Sequence, residues 1–183
     1  MNNTINIAVV GLGQVGIYLL NELNTKKKDI ELKTGKKINV VAVSAKNINK
    51  KRQFKVNKKI FFKNPLEIFN KKKVDILFEA IGLSDGISKK VVESALKKKI
   101  HVITPNKALI SKHGNELAKI AELNNVNLEF EASVAGGIPI LRSIKEGLAT
   151  NKISKVYGIL NGTSNYILSE MENSNQSFSD VLK

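Results

Sequence analysis

The sequence predicts an α/β protein in which a doubly wound parallel sheet is followed by the beginning of a second α/β domain. Short apolar runs typical of buried strands alternate with segments of helical periodicity from Ile5 to Phe130. No hairpin turn signal separates these runs. Alternation of this kind favours parallel strands with helices on both faces of the sheet.

The strand-like runs come in chain order with helical segments between them. Strands are predicted at Ile5–Val10, Ile38–Val43, Ile60–Phe62, Val74–Glu79, Ile100–Ile103 and Asn127–Phe130. The first helix is predicted to bury one side, which carries Val15, Leu19, Leu20 and Leu23. Later helices are predicted at Pro65–Asn70, at Gly86–Lys98 with Val91, Val92, Ala95 and Leu96 buried, and at Asn106–Asn124 with Leu109, Leu117, Ile120, Ala121 and Leu123 buried.

The composition excludes several classes of protein. The 183 residues contain no cysteine, which rules out disulfides and thiolate metal sites, and no apolar run approaches the ~18 residues of a membrane span. The net charge of +14 comes mainly from lysines scattered over turns and element ends, and only Arg142 follows Arg52 among the arginines. We therefore expect no nucleic-acid partner and no membrane. The start lacks a secretory leader, so a cytoplasmic location is expected.

The first strand runs directly into the glycine-rich motif Gly11-Leu12-Gly13-Gln14-Val15-Gly16. Gly11 permits the tight turn, Gly13 lets the backbone approach a pyrophosphate, and Gly16 allows close helix–strand packing. The pyrophosphate would meet the positive end of the following helix. In this context the motif predicts a Rossmann-type dinucleotide-binding domain rather than a plain turn.

The end of the second strand bears on the choice between NADP and NAD. An acidic residue there would bind the ribose 2′-hydroxyl, but this chain has Ser44 followed by Lys46, Lys50, Lys51 and Arg52. Serine and lysine suit a 2′-phosphate, so NADP is the expected cofactor, with NAD as the alternative. The other interpretation is that these lysines simply face solvent.

The segment Thr104-Pro105-Asn106-Lys107 lies where a strand becomes a helix. Thr104 is predicted to cap that helix, with Pro105 at its first position. Lys107 then stands in the first turn, at the carboxyl edge of the sheet where ligands bind.

After Glu131 the pattern changes, which places domains at residues 1–132 and 133–183. Ala135-Gly136-Gly137 predicts a flexible or closely approached backbone. A helix is predicted from Pro139 to Leu148, a strand at Ile153–Leu160, a turn at Asn161-Gly162-Thr163 and a helix from Ser164 to Met171.

Four segments, taken in order, resemble homoserine dehydrogenase. They are Ile76-Leu77-Phe78-Glu79-Ala80-Ile81-Gly82, Thr104-Pro105-Asn106-Lys107-Ala108-Leu109, Glu131-Ala132-Ser133-Val134-Ala135-Gly136-Gly137-Ile138-Pro139-Ile140 and Gly158-Ile159-Leu160-Asn161-Gly162-Thr163-Ser164-Asn165-Tyr166-Ile167. The resemblance implies interconversion of L-aspartate 4-semialdehyde and L-homoserine with NAD(P)(H), a step of threonine and methionine biosynthesis.

The resemblance also implies roles for individual residues. Lys107 would be the catalytic lysine beside the nicotinamide, and the glycine-rich motif together with Ile81 and Gly82 would contact the cofactor. A monovalent cation such as sodium would be bound by Glu131 and by carbonyls of Val134, Gly136 and Ile138, since oxygen ligands suit a hard cation. The alternative for that loop is a domain hinge. Asn161, Gly162 and Thr163 would form an active-site turn on the substrate side.

One departure from the family concerns the substrate-binding carboxylates and a second lysine. In the family they follow a Gly-Tyr-Ala-Glu-x-Asp-Pro-like stretch, which should begin shortly after Lys183. We therefore expect a truncated form with little activity alone. For the full-length family member the resemblance implies a homodimer.

Two alternatives stay open on the sequence. One is a non-catalytic NAD(P)-binding regulatory module, which leaves Lys107 and the Asn161 turn unused. The other is a different small-substrate dehydrogenase, such as aspartate dehydrogenase or dihydrodipicolinate reductase, for which the Glu131–Pro139 run followed by the Asn161–Asn165 turn is not expected.

Overall fold

The computed structural model describes residues 3–52, 56–159 and 161–182. The chain divides into two units, Met1–Val134 and Ala135–Lys183. Each unit is described separately below.

The first unit contains six strands and five helices among its described residues. The strands are β1 (Thr4–Val10), β2 (Lys37–Ser44), β3 (Phe61–Phe62), β4 (Ile76–Glu79), β5 (His101–Ile103) and β6 (Leu128–Glu129). The helices are α1 (Gln14–Thr25), α2 (Lys27–Thr34), α3 (Ile68–Lys71), α4 (Ile87–Lys97) and α5 (Lys107–Leu123). Short 3-10 turns occur at Lys58–Ile60, Pro65–Glu67 and Glu131–Ser133.

The strands form one sheet in the order β3-β2-β1-β4-β5-β6, and every pairing is parallel. The chain starts in the middle of the sheet, builds outward to β3, and then crosses back to β4 on the other side of β1. The predicted doubly wound parallel sheet is therefore confirmed. Its topological switch point lies between β1 and β4, where ligands bind in folds of this kind.

Two hydrophobic cores lie on opposite faces of this sheet because alternate strand residues point to opposite sides. Ala8 and Val10 of β1 belong to the core that α3, α4 and α5 cover. Ile7 and Val9 belong to the core that α1 covers with Ile17 and Leu20. The predicted burial of Val91, Val92, Ala95 and Leu96 in α4 is confirmed, since each is fully buried.

Two residues predicted to be buried are exposed. Val15 is 52% exposed and Leu123 is 82% exposed. At 100° per residue, Val15 is about 140° from Leu20 around α1, and Leu123 is about 120° from Leu117 around α5. Both predictions were wrong because these residues lie off the side of the helix that faces the sheet.

Helix α2 was not predicted, because its sequence shows no apolar period. Glu31 lies within ion-pair distance of Lys27 one turn earlier, at 3.8 Å. The helix ends at Gly35, whose φ of 65° is the left-handed conformation that closes many helices. A local C-cap and one ion pair therefore support this helix, which buries no residue.

The second unit is helical and irregular in its described residues. It contains α6 (Ile140–Arg142), a π-helical stretch at Ser143–Gly147, α7 (Gly162–Ser174) and α8 (Phe178–Val181). The helix predicted from Pro139 to Leu148 is confirmed in its central part. Within the described part of the chain, no helix is both long enough and apolar enough to cross a bilayer.

Two predictions for this unit were wrong. Residues 152–159 form no strand, and Leu160 lies outside the described residues. A strand needs a neighbour to satisfy its backbone groups, and the described residues of this unit offer none. Asn161-Gly162-Thr163 is the start of α7 rather than a turn, because the Asn161 side chain accepts a hydrogen bond from the Ser164 backbone N–H at 3.0 Å and caps the helix.

Candidate functional site

The carboxyl ends of the central strands lie level with one another. Val10 at the end of β1 is in register with Ser44 of β2 and with Glu79 of β4. Phe78 of β4 is in register with Ile103, the last residue of β5. The loops that follow these four strands therefore meet at one edge of the sheet, on either side of the switch point.

Gly11 makes the turn between β1 and α1. Its φ of 95° is a conformation that L-residues rarely adopt, and a Cβ there would lie 2.3 Å from the backbone carbonyl of Ala80. Its N–H donates to the carbonyl oxygen of Ser44 at 2.9 Å. Gly11 thus joins the ends of three strands in a space that excludes a side chain.

Gly13 and Gly16 occupy contrasting surroundings in the same loop. A Cβ at Gly16 would lie 1.9 Å from the carbonyl oxygen of Gly11, so the helix packs directly on the turn. A Cβ at Gly13 would have no atom within 4 Å. Gly13 is also the N-cap of α1 and no side chain caps that helix. The first turn of α1 therefore has no side-chain cap and has open space beside Gly13, which is the arrangement that binds an anion.

A groove of about 820 Å³ lies beside this helix terminus. Its lining includes Gly13 and Gln14 from the glycine-rich loop and Lys50 and Lys51 from the loop after β2. Both lysines are exposed. The groove therefore combines an uncapped helix terminus with two cationic side chains.

Arg52 fastens the loop after β2 to the glycine-rich loop. Its Nε donates to the carbonyl oxygen of Leu12 at 3.2 Å. Its two terminal nitrogens donate to the carbonyl oxygens of Asn47, Ile48 and Lys50, at 2.6, 3.1 and 2.9 Å. The guanidinium thus acts as a brace for the loop that carries Lys50 and Lys51.

Two other residues proposed for the 2′-phosphate lie apart from the groove lining. Ser44 is 2% exposed, so its hydroxyl is not open to solvent. Lys46 is exposed, but it does not line the groove. The structure therefore brings Lys50 and Lys51, more than Lys46, to the glycine-rich loop.

Lys107 is the first residue of α5, and it is exposed. The predicted capping by Thr104 with Pro105 in the first turn was wrong. The cap is Asn106, whose side chain accepts from the Leu109 N–H at 3.1 Å. The Thr104 hydroxyl instead donates to the carboxylate of Glu79 at 2.6 Å and accepts from the N–H of the cap residue Asn106 at 3.1 Å.

Glu79 ends β4 and is completely buried. Besides Thr104, its carboxylate accepts from the Ser88 hydroxyl at 2.6 Å and from the Ile81 N–H at 2.8 Å. It therefore contacts both the Ile81-Gly82 loop and the segment leading to Lys107. Sequence reasoning assigned no role to Glu79 or Ser88, although a charged residue at the end of an apolar strand was a visible signal.

A second polar cluster ties the loop before α4 to α5. The Asp85 carboxylate accepts from Lys112 Nζ at 2.7 Å and from the Ser84 hydroxyl at 2.6 Å, and it lies 2.9 Å from His113 Nε2. These bonds, Lys112 first, hold the pKa of Asp85 well below its usual range. The cluster fixes the outer part of the loop that starts with Ile81 and Gly82.

The four candidate cation ligands fall on both sides of the unit division. Glu131 begins a 3-10 turn in the first unit, and its carbonyl accepts from the Val134 N–H at 3.0 Å. Gly136 and Ile138 belong to the second unit, where Gly136 has a φ of 64°. No group of three or more acidic or histidine side chains suited to a metal occurs in the ranges that the structure describes.

Comparison with protein families gives two matches along the chain. Residues 11–131 match the family model for the NAD-binding domain of homoserine dehydrogenase, and residues 139–183 match the model for homoserine dehydrogenase itself. The first match includes the glycine-rich loop and the ends of β2, β4 and β5 at the edge described above.

Individual relatives agree with the family models. The chain is 41% identical to homoserine dehydrogenase from Neisseria gonorrhoeae and 35% identical to that from Bacillus subtilis, in each case over 98% of this chain and 41% of the relative. The crystal structure of a homoserine dehydrogenase from Thiobacillus denitrificans superposes with a TM-score of 0.82 at 37% identity, over 98% of this chain and 41% of that one. The chain thus spans about 41% of the length of the curated relatives it matches.

Proposed function

The chain belongs to the homoserine dehydrogenase family, and we propose that it is the dinucleotide-binding part of an enzyme that interconverts L-homoserine and L-aspartate 4-semialdehyde. The observation that carries the proposal is the open space at Gly13 in front of the uncapped N-terminus of α1. That space lies at the switch point of the sheet, and the chain from Gly11 to Glu131 matches an NAD-binding domain.

In this proposal Gly11 to Gly16 bind the pyrophosphate. Gly13 offers no side chain to block its approach, and the free N–H groups of α1 donate to its oxygens. Leu12, Gln14 and Val15 supply the backbone between the glycines, and the exposed Val15 borders the groove.

The nicotinamide side of the site is assigned to Ile81, Gly82 and Lys107. Ile81 and Gly82 follow β4, and Lys107 opens the helix after β5, at the edge of the sheet where the glycine-rich loop follows β1. The bound nicotinamide supplies or accepts the hydride. The exposed ammonium of Lys107 is proposed to stabilise negative charge on the substrate oxygen, because a cation near a developing alkoxide lowers the barrier.

We propose that NADP(H) binds more tightly than NAD(H). Lys50 and Lys51 reach the groove beside the glycine-rich loop, and Lys46 adds positive charge at the end of β2. Titration of both cofactors at fixed salt checks this proposal. Lys50→Ala with Lys51→Ala should reduce the preference for NADPH, whereas Lys97→Ala with Lys98→Ala, at the end of α4 and outside the groove lining, should not. Equal affinities for the two cofactors would contradict the proposal.

A monovalent cation such as sodium is proposed to bind the Glu131 carboxylate and the carbonyl oxygens of Val134, Gly136 and Ile138. The support is the donor set, since carboxylate and carbonyl oxygens are what hard cations accept. Replacing NaCl by choline chloride at constant ionic strength should then lower the melting temperature. Glu131→Gln should remove that difference.

Asn161, Gly162 and Thr163 are proposed to face the amino-acid substrate, as their resemblance to the family implies. They form the exposed start of α7, where the Asn161 side chain caps Ser164 and the positive end of the helix favours a carboxylate. We further propose a cytoplasmic location and, for a protein of the relatives' length, a homodimer. Sedimentation of such a protein would test the dimer.

The dinucleotide proposal is tested by NADPH fluorescence and calorimetry with the chain as it stands. Saturable binding at one site is expected, and no binding would overturn the proposal.

The reaction is tested with a chimera that continues after Lys183 with the remaining part of the Neisseria gonorrhoeae relative. The folded chimera should oxidise L-homoserine with NADP⁺, and its Lys107→Ala variant should be strongly impaired. A folded chimera that binds NADPH without turnover would favour a binding module.

A further inference from the structure

Glu79 is a buried acid that the proposed reaction does not use. Its two carboxylate oxygens accept from three parts of the chain: the Ile81 N–H in the loop after β4, the Ser88 hydroxyl in α4 and the Thr104 hydroxyl after β5. The side-chain amide of Asn106, the cap of α5, lies 3.4 Å from the nearer oxygen. One carboxylate thus connects two loops and two helix starts.

The direction of these hydrogen bonds is fixed by their other partners. The Thr104 oxygen accepts from the Asn106 backbone N–H at 3.1 Å, and the Ser88 oxygen accepts from the Asn106 amide at 3.1 Å. Each hydroxyl proton is therefore free to point at Glu79. Because Ile81 N–H can only donate as well, the surroundings of Glu79 consist of donors, which suits a carboxylate rather than an amide.

The two helix starts add to this stabilisation. Ser88 lies in the first turn of α4 and Asn106 caps α5. The positive ends of both helices thus converge on the buried charge. Asn106 also donates to the carbonyl oxygen of Leu83 at 2.8 Å, so the loop after Gly82 is bound to the same cluster.

We propose that Glu79 is a positioning residue that holds the Ile81-Gly82 loop and the start of α5, with Lys107, in one fixed arrangement. The inference rests on the proposed function in taking those two segments as the nicotinamide side of the site. Glu79 itself is completely buried and does not reach the open part of the site. It acts through Ile81 N–H on one segment and through Thr104 and Asn106 on the other.

Glu79→Gln is the direct test, because it keeps the shape and replaces one acceptor oxygen by a donor group. The introduced amide group would then face other donors, so the hydrogen bonds that link this position to Ile81 and to Asn106 should weaken. Hydrogen exchange without dinucleotide should be about tenfold faster at the amides of Ile81 and Leu109, and NADPH affinity should fall about tenfold.

A general loss of stability is controlled with Ile68→Val, in the core of the same unit. When its melting temperature matches that of Glu79→Gln, this variant should keep the wild-type NADPH affinity. The amides of Ile81 and Leu109 should also keep their relative protection from hydrogen exchange. Equal losses in both variants, or an unchanged Glu79→Gln protein, would overturn the inference.

Ser88→Ala provides a milder variant should Glu79→Gln not fold. It removes one donor to Glu79 and should accelerate exchange at Ile81 and Leu109, whereas Ser94→Ala on the same helix should not. Unchanged exchange in Ser88→Ala would overturn the inference. Since exchange is measured without dinucleotide, wild-type protein that fails to bind NADPH would instead overturn the proposed function.

Discussion

At the scale of single residues, the three motif glycines differ in what their missing side chains provide. At Gly11 and Gly16 a Cβ would collide with backbone atoms at 2.3 and 1.9 Å, so these positions are required by the fold. At Gly13 the space is open, so glycine there is not required by packing. Folding and ligand binding can therefore be separated by substitution within one loop.

Gly13→Val should give a folded protein that no longer binds the dinucleotide. The φ of Gly13 is −77°, which valine can adopt, and no protein atom obstructs the new side chain. Its methyl groups would occupy the space proposed for the pyrophosphate. NADPH affinity should fall at least about a hundredfold, equivalent to about 2.7 kcal/mol, by fluorescence titration. Normal binding by the folded variant would place the ligand elsewhere.

Gly11→Ala should have the opposite effect and lower the stability of the fold. Its φ of 95° is unfavourable for alanine, and the Cβ would overlap the Ala80 carbonyl. A loss of about 1–3 kcal/mol or more is expected from the backbone conformation alone, measurable by urea unfolding. Wild-type stability in this variant would contradict the assigned turn.

The residues that sequence could identify are those whose role is set locally. Spacing in the chain located the glycine-rich loop, because a strand, a turn and a helix start are consecutive there. It could not locate the partners of Glu79, since Ser88 and Thr104 reach it only after α4 has packed on the sheet and β5 has paired with β4.

At the scale of elements, a charged side chain in each of the loops after β2 and β4 ties that loop to a neighbouring segment. Arg52 braces the first loop through four carbonyl oxygens. Asp85 ties the second loop to α5 through Lys112 and His113. The first loop lines the dinucleotide groove, and the second contains Ile81 and Gly82. How firmly these two loops are held should therefore affect the affinity for the dinucleotide.

Arg52→Lys should weaken NADPH binding several-fold although it keeps the charge. An ammonium cannot span carbonyl oxygens that the planar guanidinium reaches together. Titration calorimetry should show the lower affinity for NADPH. Thermal unfolding should show an unchanged melting temperature. The matched control is Arg142→Lys in the second unit, which should bind NADPH normally. Equal affinity in the Arg52 variant would mean that the brace does not hold the lysines in place.

The Asp85 cluster should make stability depend on pH in the acid range. The pKa of Asp85 is lowered in the folded protein by its bonds to Lys112, Ser84 and His113. The contribution of Asp85 to stability is therefore fully present above the pKa of the unfolded state, about 3.9. It is lost as the pH falls through the lower pKa of the folded state. Melting temperatures from pH 7 to acid pH should fall less steeply in Asp85→Asn than in wild type. Glu122→Gln, on the helix α5 that Asp85 contacts, should keep the wild-type slope.

The strands predicted correctly are those that complete their hydrogen bonds within the first unit. Apolar runs matched β1, β2 and β4 because each is flanked by other strands. The run at Ile153–Leu160 has the same apolar character, yet residues 152–159 form no strand. An apolar run forms a strand only where the edge of another strand is available for pairing. The pattern of residues within the run does not show whether such an edge is present.

At the scale of the whole molecule, burial is confined to one unit. Among the described residues, every buried position lies between Ile7 and Ser133. The described residues of the second unit include exposed apolar side chains such as Tyr157, Ile159 and Tyr166. The hydrophobic contribution to stability thus comes from the first unit, because burial of apolar surface is its source.

Residues 1–134 should therefore fold alone and bind NADPH as the 183-residue chain does. Both hydrophobic cores and the glycine-rich loop, Glu79 and Lys107 all lie within this range. The shorter chain should keep the melting temperature within a few degrees and the NADPH affinity within about threefold, which is under 1 kcal/mol. It should also associate less at high concentration, because the exposed apolar side chains of the second unit are gone. Thermal unfolding, fluorescence titration and sedimentation measure the three quantities. An unfolded or non-binding 1–134 chain would show that the second unit contributes to the fold or to the dinucleotide site.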